Sequence, residues 1–350
     1  MNGKWEVVEK KALRNEPLRR EDLLSVLNSS DDEILSLVDS ARKVREKFFG
    51  KKVKLQYLIN VKSGLCAEDC RYCSQSKLSR APIKKYSLLS TGEIKARAIE
   101  GLALGAAKIC LVASGDGPTP REFESLSRSV RELKKDYPEL DLCASLGHLE
   151  GKAARVLKNS GLETYNHNIN TSSSFYQEIC TTHTYADRLK TIDEAAKAGF
   201  HICSGVLVGM GEKDEDIVEM ALFLREKNVD FIPVNFLIPV EKTPMAGHRQ
   251  LTPFHCLRIL ALMRLANPTK EIRIAGGREV HLRGWQPLGL MIADSIFIGD
   301  YLTTKGQKPL FDLEMIRDLG YAVRDRPDGF IDKLLDGPSA LRSEVGRVLV

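Results

Sequence analysis

Along the 350-residue chain, apolar and polar positions recur with two different periods. The first fifty residues follow a helical period. Ser29-Ser30-Asp31-Asp32 is a capping cluster, Ile34, Leu35, Leu37, Val38 and Ala41 follow at helical spacing, and Gly50 ends the run. From Val53 onward, short runs of β-branched and other apolar residues alternate with longer amphipathic stretches. Strands are predicted at Val53–Val61, Ala107–Ala113, Leu140–Leu146, Thr164–Ile169, His201–Val208, Phe231–Ile238, Glu271–Ala275 and Ser295–Ile298. Helices are predicted at Thr91–Leu104, Arg121–Tyr137, Leu149–Asn159, Ala186–Ala198, Asp214–Lys227, Pro253–Ala266 and Leu288–Ala293. A last helix, Leu313–Leu319, follows the eighth strand. The tail repeats helical spacing at Phe330, Ile331, Leu334, Leu335, Leu341, Val345 and Val348, and is expected to pack outside the main body or to mediate assembly.

Strand then helix, repeated, calls for parallel strands joined by helical crossovers. Eight such units are what a closed (β/α)8 TIM-type barrel needs. An open doubly wound sheet is the alternative, but no Gly-x-Gly-x-x-Gly follows the first strand and no P-loop is present. Gly209-Met210-Gly211 and Gly276-Gly277 follow strands, where tight turns account for them. The expected layout is an α/β chain with one barrel over residues 53–311, an N-terminal helical extension over 1–52 and a C-terminal helical tail over 312–350.

Composition narrows the class. With 43% hydrophobic and 28% charged residues, the chain is globular rather than disordered or collagen-like. No apolar run approaches the roughly 20 residues of a membrane helix. Met1 to Arg20 is charged throughout and lacks a signal-peptide core. A cytoplasmic protein is expected, with neither membrane nor nucleic acid as partner. The net charge of +5 is spread over short runs such as Lys51-Lys52, Lys84-Lys85 and Lys134-Lys135, as on a solvated surface. In a reducing compartment, the eight cysteines point to metal binding or catalysis rather than disulfides.

Three of them, Cys66, Cys70 and Cys73, lie just after the first strand with spacing C-x3-C-x2-C. Such thiolates converge on one soft metal centre when the chain curls around it, and iron–sulfur clusters and zinc are the natural choices. Zinc wants a fourth ligand, which only a distant residue such as His148 or His167 could provide. The segment also carries Glu68, Asp69 and Arg71, a polarity that ordinary buried cysteines do not keep.

Cys110, Cys143 and Cys203 lie in the second, third and fifth strands, and Arg273 in the seventh. Each cysteine alone reads as a small core residue, but an arginine inside a packed strand needs a partner or a cavity. Taken together, the four suggest a shared central site. Tyr165 to Asn170 is too polar for a buried strand unless it meets a polar ligand, and its amides suit ribose hydroxyls or a ureido ring. Cys180 and Cys256 read as packing residues, Cys180 close to the polar stretch Thr181–Arg188.

The cysteine triplet on the first loop of an α/β barrel resembles the radical S-adenosylmethionine superfamily. Within it, the chain from about Lys54 to Lys305 resembles the biotin synthase family. The resemblance is carried by Ser63–Ser76, Tyr165-Asn166-His167-Asn168, Thr181–Arg188, Cys203-Ser204-Gly205, Gly209–Glu212, Ile272–Glu279 and Leu302-Thr303-Thr304. It implies that Cys66, Cys70 and Cys73 hold a [4Fe–4S] cluster whose open iron chelates S-adenosylmethionine. It implies a [2Fe–2S] cluster on Cys110, Cys143, Cys203 and Arg273. Tyr72, Asn168, Asn170 and Arg188 would contact S-adenosylmethionine, the two asparagines at its ribose and Arg188 at its carboxylate. Many relatives carry Asp at the position of Asn170. Asn166, Asn235, Thr303 and Thr304 would contact the substrate.

The implied reaction is sulfur insertion into dethiobiotin to form biotin, a sulfurtransferase chemistry that draws sulfur from the barrel cluster. A flavodoxin- or ferredoxin-type electron donor and a homodimer are implied as well. Three competing readings remain at this point. Another radical enzyme of the same barrel would not need the four barrel ligands together. A non-enzymatic iron–sulfur or zinc protein would not need the polar interior. A Schiff-base aldolase using Lys54 or Lys108 would not need the cysteine triplet.

Overall fold

A computed structural model describes residues 4–248 and 251–336, so Leu341, Val345 and Val348 lie outside the described residues. The first fifty residues form three helices: α1 (Glu6–Leu13), α2 (Arg20–Leu27) and α3 (Ile34–Phe49). Asn15, at φ 56°, turns the chain after α1. Ser30 and Glu33 close a capping box before α3, with the Ser30 N–H donating to Glu33 Oε2 at 2.9 Å. Leu37, Val38, Ala41 and Val44 give α3 a buried stripe.

The barrel then runs β1 (Lys52–Lys62), α4 (Thr91–Ala103), β2 (Lys108–Ala113), α5 (Pro120–Asp136), β3 (Asp141–Ser145), α6 (Gly151–Asn159) and β4 (Thr164–Asn166). It continues through α7 (Tyr176–Ile179), α8 (Tyr185–Lys197), β5 (His201–Cys203), β6 (Val206–Val208), α9 (Asp214–Glu226), β7 (Phe231–Phe236) and α10 (Pro253–Ala266). The last part is β8 (Glu271–Ile274), α11 (Arg278–His281), α12 (Gln286–Ile292), β9 (Ser295–Phe297), α13 (Pro309–Asp318), β10 (Ala322–Val323) and α14 (Phe330–Asp336).

All strand pairings are parallel, in the order β1-β2-β3-β4-β5-β7-β8-β9, and β9 returns to β1 with Lys54 opposite Ser295. β5 and β6 are two halves of one barrel strand, so eight staves close the expected (β/α)8 barrel.

The differences from the predicted elements have local causes. The fifth strand, expected as one run, breaks at Ser204-Gly205. A Cβ on Gly205 would lie 1.9 Å from the Pro233 carbonyl oxygen, so β7 approaches too closely there for any side chain. β4 ends at Asn166 rather than Ile169, and the chain turns at Asn170, whose φ is 67°. The helix expected from Leu313 starts four residues earlier, with Pro309 at its first position. β10, two residues in the tail, adds to the start of β1 through Lys52–Ala322 and Val53–Val323.

The N-terminal extension covers α10. That helix is buried on every side from Cys256 to Ala266, as its largely apolar sequence requires, and its two arginines find partners, Arg258 in Ser29 and Asp31, Arg264 in Asp294. Arg45 of α3 is fully buried and donates to the carbonyls of Gly50, Lys52 (2.8 Å) and Ala293 (3.3 Å), tying the extension to the barrel.

Candidate functional site

Polar residues alternate along β1: Lys54, Gln56 and Asn60 turn into the barrel, while Val53, Leu55, Ile59 and Val61 pack outward. The N-terminal end of the barrel is closed by ion pairs. Lys108 Nζ lies 3.1 Å from Asp141, Lys54 Nζ lies 3.0 Å from Asp141 and 4.0 Å from Glu271, and Arg324 lies 3.9 Å from Glu271. Burial works against the Lys108 charge, yet Asp141 and Glu271 raise its pKa above the ordinary lysine value. A Schiff-base lysine must be a free amine, and Lys108 is held as an ammonium.

Above this floor the barrel cysteines meet. The register pairs Cys110 with Cys143, and the neighbouring Cys110 and Cys203 push the Cys143 thiol well above its ordinary pKa. Arg273, 1% exposed, points Nη1 at Cys203 Sγ (3.9 Å) and Nη2 at Glu271 (3.3 Å), and its guanidinium lies 4.9 Å from the centre of the Phe297 ring. Burial opposes ionisation of Cys203, but the neighbouring Cys143 thiol and the Arg273 charge overcome it and hold the thiol down to about 6. Three thiols facing one guanidinium, with Arg273 Nε lacking a hydrogen-bond partner, are not an apolar core, and their donor atoms are of the kind that can hold an iron–sulfur cluster.

A cavity of about 410 Å³ opens from this cluster to the C-terminal face of the barrel. Every site residue predicted from sequence lines it except Cys203, which sits beneath, wholly buried. Cys66, Cys70 and Cys73 form its rim on the loop after β1. Gly64 N–H donates to Gln75 Oε1 (2.8 Å) and Cys73 N–H to the Cys70 carbonyl (3.1 Å), which curls the loop. Burial raises the Cys66 pKa and pushes that of Cys73 up to about 11, so a cation is needed to keep these thiolates together.

The polar wall is mutually bonded. Asn168 Oδ1 accepts from Gly205 N–H (3.0 Å) and Asn166 Nδ2 (3.2 Å), and Asn166 Nδ2 reaches Cys203 Sγ at 3.0 Å. Asn170 donates to the Tyr72 hydroxyl at 2.6 Å. Arg188 is buried and donates to Tyr176, the Asn168 carbonyl (3.0 Å) and His183 Nε2 (2.9 Å). Asn235 joins two staves, donating to the Val206 carbonyl (3.1 Å) and accepting from Gly276 N–H (3.1 Å). Thr303 and Ser74 share a 2.6 Å hydroxyl contact, which links the β9 loop to the cysteine loop.

The glycine turns serve structure. Glu212 accepts from the N–H groups of Gly209 (2.5 Å) and Met210 (2.8 Å), so these donors of the turn are taken by the chain itself.

Several residues here were not foreseen. Cys180 packs as expected but also lies 3.8 Å from Cys70, sulfur to sulfur, because Arg71 N–H bonds to the Ile179 carbonyl at 2.9 Å. The Cys70 hydrogen bond, helped by His183, holds the Cys180 thiol down to about 4. Cys70, Cys180 and His183 lie close enough to share a metal. However, Arg188 can only donate to His183 Nε2, so Nδ1 carries the proton and donates to Glu68 at 2.7 Å. That leaves the imidazole without a lone pair for zinc. His148 and His167, whose rings lie 5.6 Å apart, line the cavity without joining the cysteine triplet in any such group among the described residues. Gln56 and Glu271, also unforeseen, link the floor to Cys110 and Arg273.

Comparison with known proteins matches residues 60–224 to the Radical SAM superfamily and residues 233–322 to the Biotin and Thiamin Synthesis associated domain. A biotin synthase of Streptomyces coelicolor is 52% identical over 313 residues, spanning 89% of this chain and 77% of that protein. A biotin synthase of Streptomyces avermitilis is also 52% identical, over 89% of this chain and 81% of its own. Among solved structures, the FeFe-hydrogenase maturase of Carboxydothermus hydrogenoformans superposes with a TM-score of 0.78 at 18% identity, over 98% of this chain and 88% of that one. At that identity the likeness concerns the fold.

Proposed function

Since the chain belongs to the biotin synthase family, we propose that this barrel inserts sulfur into dethiobiotin by dividing its cysteines between two clusters along one axis. The observation that carries the reading is the stacking of two cysteine sets around one cavity, a rim of Cys66, Cys70 and Cys73 over a floor of Cys110, Cys143, Cys203 and Arg273. Bound there, a [4Fe–4S] cluster with S-adenosylmethionine supplies a 5′-deoxyadenosyl radical, and a [2Fe–2S] cluster supplies the sulfur.

The chain's own residues do the rest. Cys66, Cys70 and Cys73 hold the rim. Arg188, fixed by Tyr176 and the Asn168 carbonyl, offers its remaining N–H groups to the cofactor's carboxylate. Asn168, Asn170 and Tyr72 face its ribose. Asn166 and Asn235 address the substrate's ureido ring, and Thr303 and Thr304 its carboxylate. Asn166 also touches Cys203, so the group that orients the substrate is anchored to the floor where sulfur enters. The enclosing wall excludes water and other hydrogen donors, which a carbon radical requires.

The exposed cationic residues Arg71, Lys77, Arg80, Lys84 and Lys85 lie on and just after the rim loop, which supports docking of an acidic flavodoxin- or ferredoxin-type electron donor. The working unit is a cytoplasmic homodimer built on one barrel domain, residues 53–311, with extensions over 1–52 and 312–350. Among the described residues, no helix is long and apolar enough to cross a membrane.

The test is anaerobic incubation of the reconstituted protein with dethiobiotin, S-adenosylmethionine and a strong reductant. Biotin should form, and Cys143→Ala should abolish it while S-adenosylmethionine cleavage persists. Biotin formation by Cys143→Ala at the unsubstituted rate would refute the division.

A further inference from the structure

We propose that Glu271 is a positioning residue for Arg273, acting together with Gln56. The inference rests on the reading of Arg273 as a ligand of the barrel cluster. Glu271 and Arg273 are two residues apart on β8 and therefore share its inner face. Glu271 is 4% exposed and divides its two oxygens. Oε2 faces the floor cations, Lys54 at 4.0 Å and Arg324 at 3.9 Å. Oε1 faces the site, accepting from Arg273 Nη2 (3.3 Å) and from Gln56 Nε2 (2.6 Å). The amide oxygen of Gln56 in turn accepts from Cys110 Sγ (3.8 Å), while Arg273 Nη1 points at Cys203 Sγ (3.9 Å). A chain of contacts thus runs Cys110–Gln56–Glu271–Arg273–Cys203, beginning and ending on the cluster's own cysteines.

Arginine needs this help. Its long side chain reaches the site through several rotatable bonds, and only its planar head can be gripped. Here Nε has no hydrogen-bond partner and Phe297 offers a ring face without a direction in the plane. Among the described residues, Glu271 supplies the one carboxylate paired with Arg273, and it fixes which Nη atom turns toward the thiols.

Charge balance alone would require a carboxylate at this place but not its reach, and two conservative variants separate the ideas. Glu271→Asp keeps the charge and withdraws it by one methylene. Glu271→Gln keeps the reach and an acceptor oxygen but loses the charge. The full chain, with both clusters reconstituted anaerobically, is read by visible circular dichroism and resonance Raman of the [2Fe–2S] cluster, and by its rate of loss to a chelator. Positioning is expected to shift the iron–sulfur bands and speed cluster loss several-fold in Glu271→Asp and Glu271→Ala, with Glu271→Gln close to the unsubstituted protein. The [4Fe–4S] signal should not change in any of them.

An unaltered Glu271→Asp spectrum overturns the proposal, whether Glu271→Gln is altered or not. If Glu271→Ala does not fold, the Asp and Gln variants still decide. Arg273→Met and Cys143→Ala are the controls for the underlying reading. If both keep the [2Fe–2S] spectrum, that reading fails and the proposal falls with it. If they lose it while Glu271→Asp and Glu271→Ala do not, only the proposal fails.

Discussion

Asn166 Nδ2 lies 3.0 Å from Cys203 Sγ, which joins the polar wall of the cavity to the deepest cysteine of the floor. The same amide reaches Asn168 Oδ1 at 3.2 Å. Replacing Asn166 by Ala should therefore uncouple the two halves of the reaction. S-adenosylmethionine cleavage is expected to continue while biotin formation drops at least tenfold. The ratio of 5′-deoxyadenosine to biotin, measured by chromatography, checks this.

Arg188 spends one N–H on Tyr176, one on the Asn168 carbonyl and one on His183, which pins the guanidinium plane. Lysine cannot reproduce that fork. Hydrogen bonds to charged groups are each worth about 1.5–3 kcal/mol. Loss of one or more in Arg188→Lys should weaken S-adenosylmethionine binding by roughly ten- to hundredfold. Equilibrium binding to the protein with its first cluster loaded is the measurement, and the barrel cluster's spectrum should stay as it was.

Asn170 combines two properties, a left-handed φ of 67° and a 2.6 Å hydrogen bond to Tyr72. Asn170→Ala should cost about 1 kcal/mol or more through backbone strain, and Asn170→Gly should recover that stability. Both should bind S-adenosylmethionine more weakly, because both lose the amide. Asn170→Asp should retain binding, since a carboxylate still accepts from ribose hydroxyls. Denaturant midpoints and binding constants for the three variants separate strain from contact.

Gly205 marks where the fifth stave breaks against β7. A methyl group there would meet the Pro233 carbonyl oxygen at 1.9 Å, and backbone cannot give way as a side chain does. Gly205→Ala is expected to destabilise the protein by about 3 kcal/mol, the upper end for overpacking. It should also disturb the Gly205 N–H bond to Asn168. Urea unfolding of the cluster-free chain measures the first effect.

Local period revealed much of this architecture. The apolar run Val53–Val61 was enough to place β1 as a strand, while the polar inner face made by Lys54, Gln56 and Asn60 emerges only in the closed barrel. The cysteines on three separate staves, with Arg273, pointed to a shared centre because eight parallel strands bring their inner faces together. What stayed hidden depends on residues far apart in the chain. The break in the fifth stave is dictated by Pro233 on the next one. The nearness of Cys180 to Cys70 depends on one backbone bond, from Arg71 to Ile179. Glu271 opens its strand, where a charged residue reads as a boundary, and only the closed barrel brings Gln56, Lys54 and Arg324 onto its carboxylate. β10 is too short for any period to show, and it exists because the start of β1 leaves an edge to pair with.

The claim that the floor of the barrel delivers the sulfur is tested most directly by isotopic labelling. The protein is loaded with isotopically labelled sulfide in its [2Fe–2S] cluster and given dethiobiotin, S-adenosylmethionine and reductant for a single turnover without free sulfide. Mass spectrometry of the biotin should show the label, with the cluster's absorption falling in step with product. Biotin carrying unlabelled sulfur, or forming while the barrel cluster stays intact, would contradict the account.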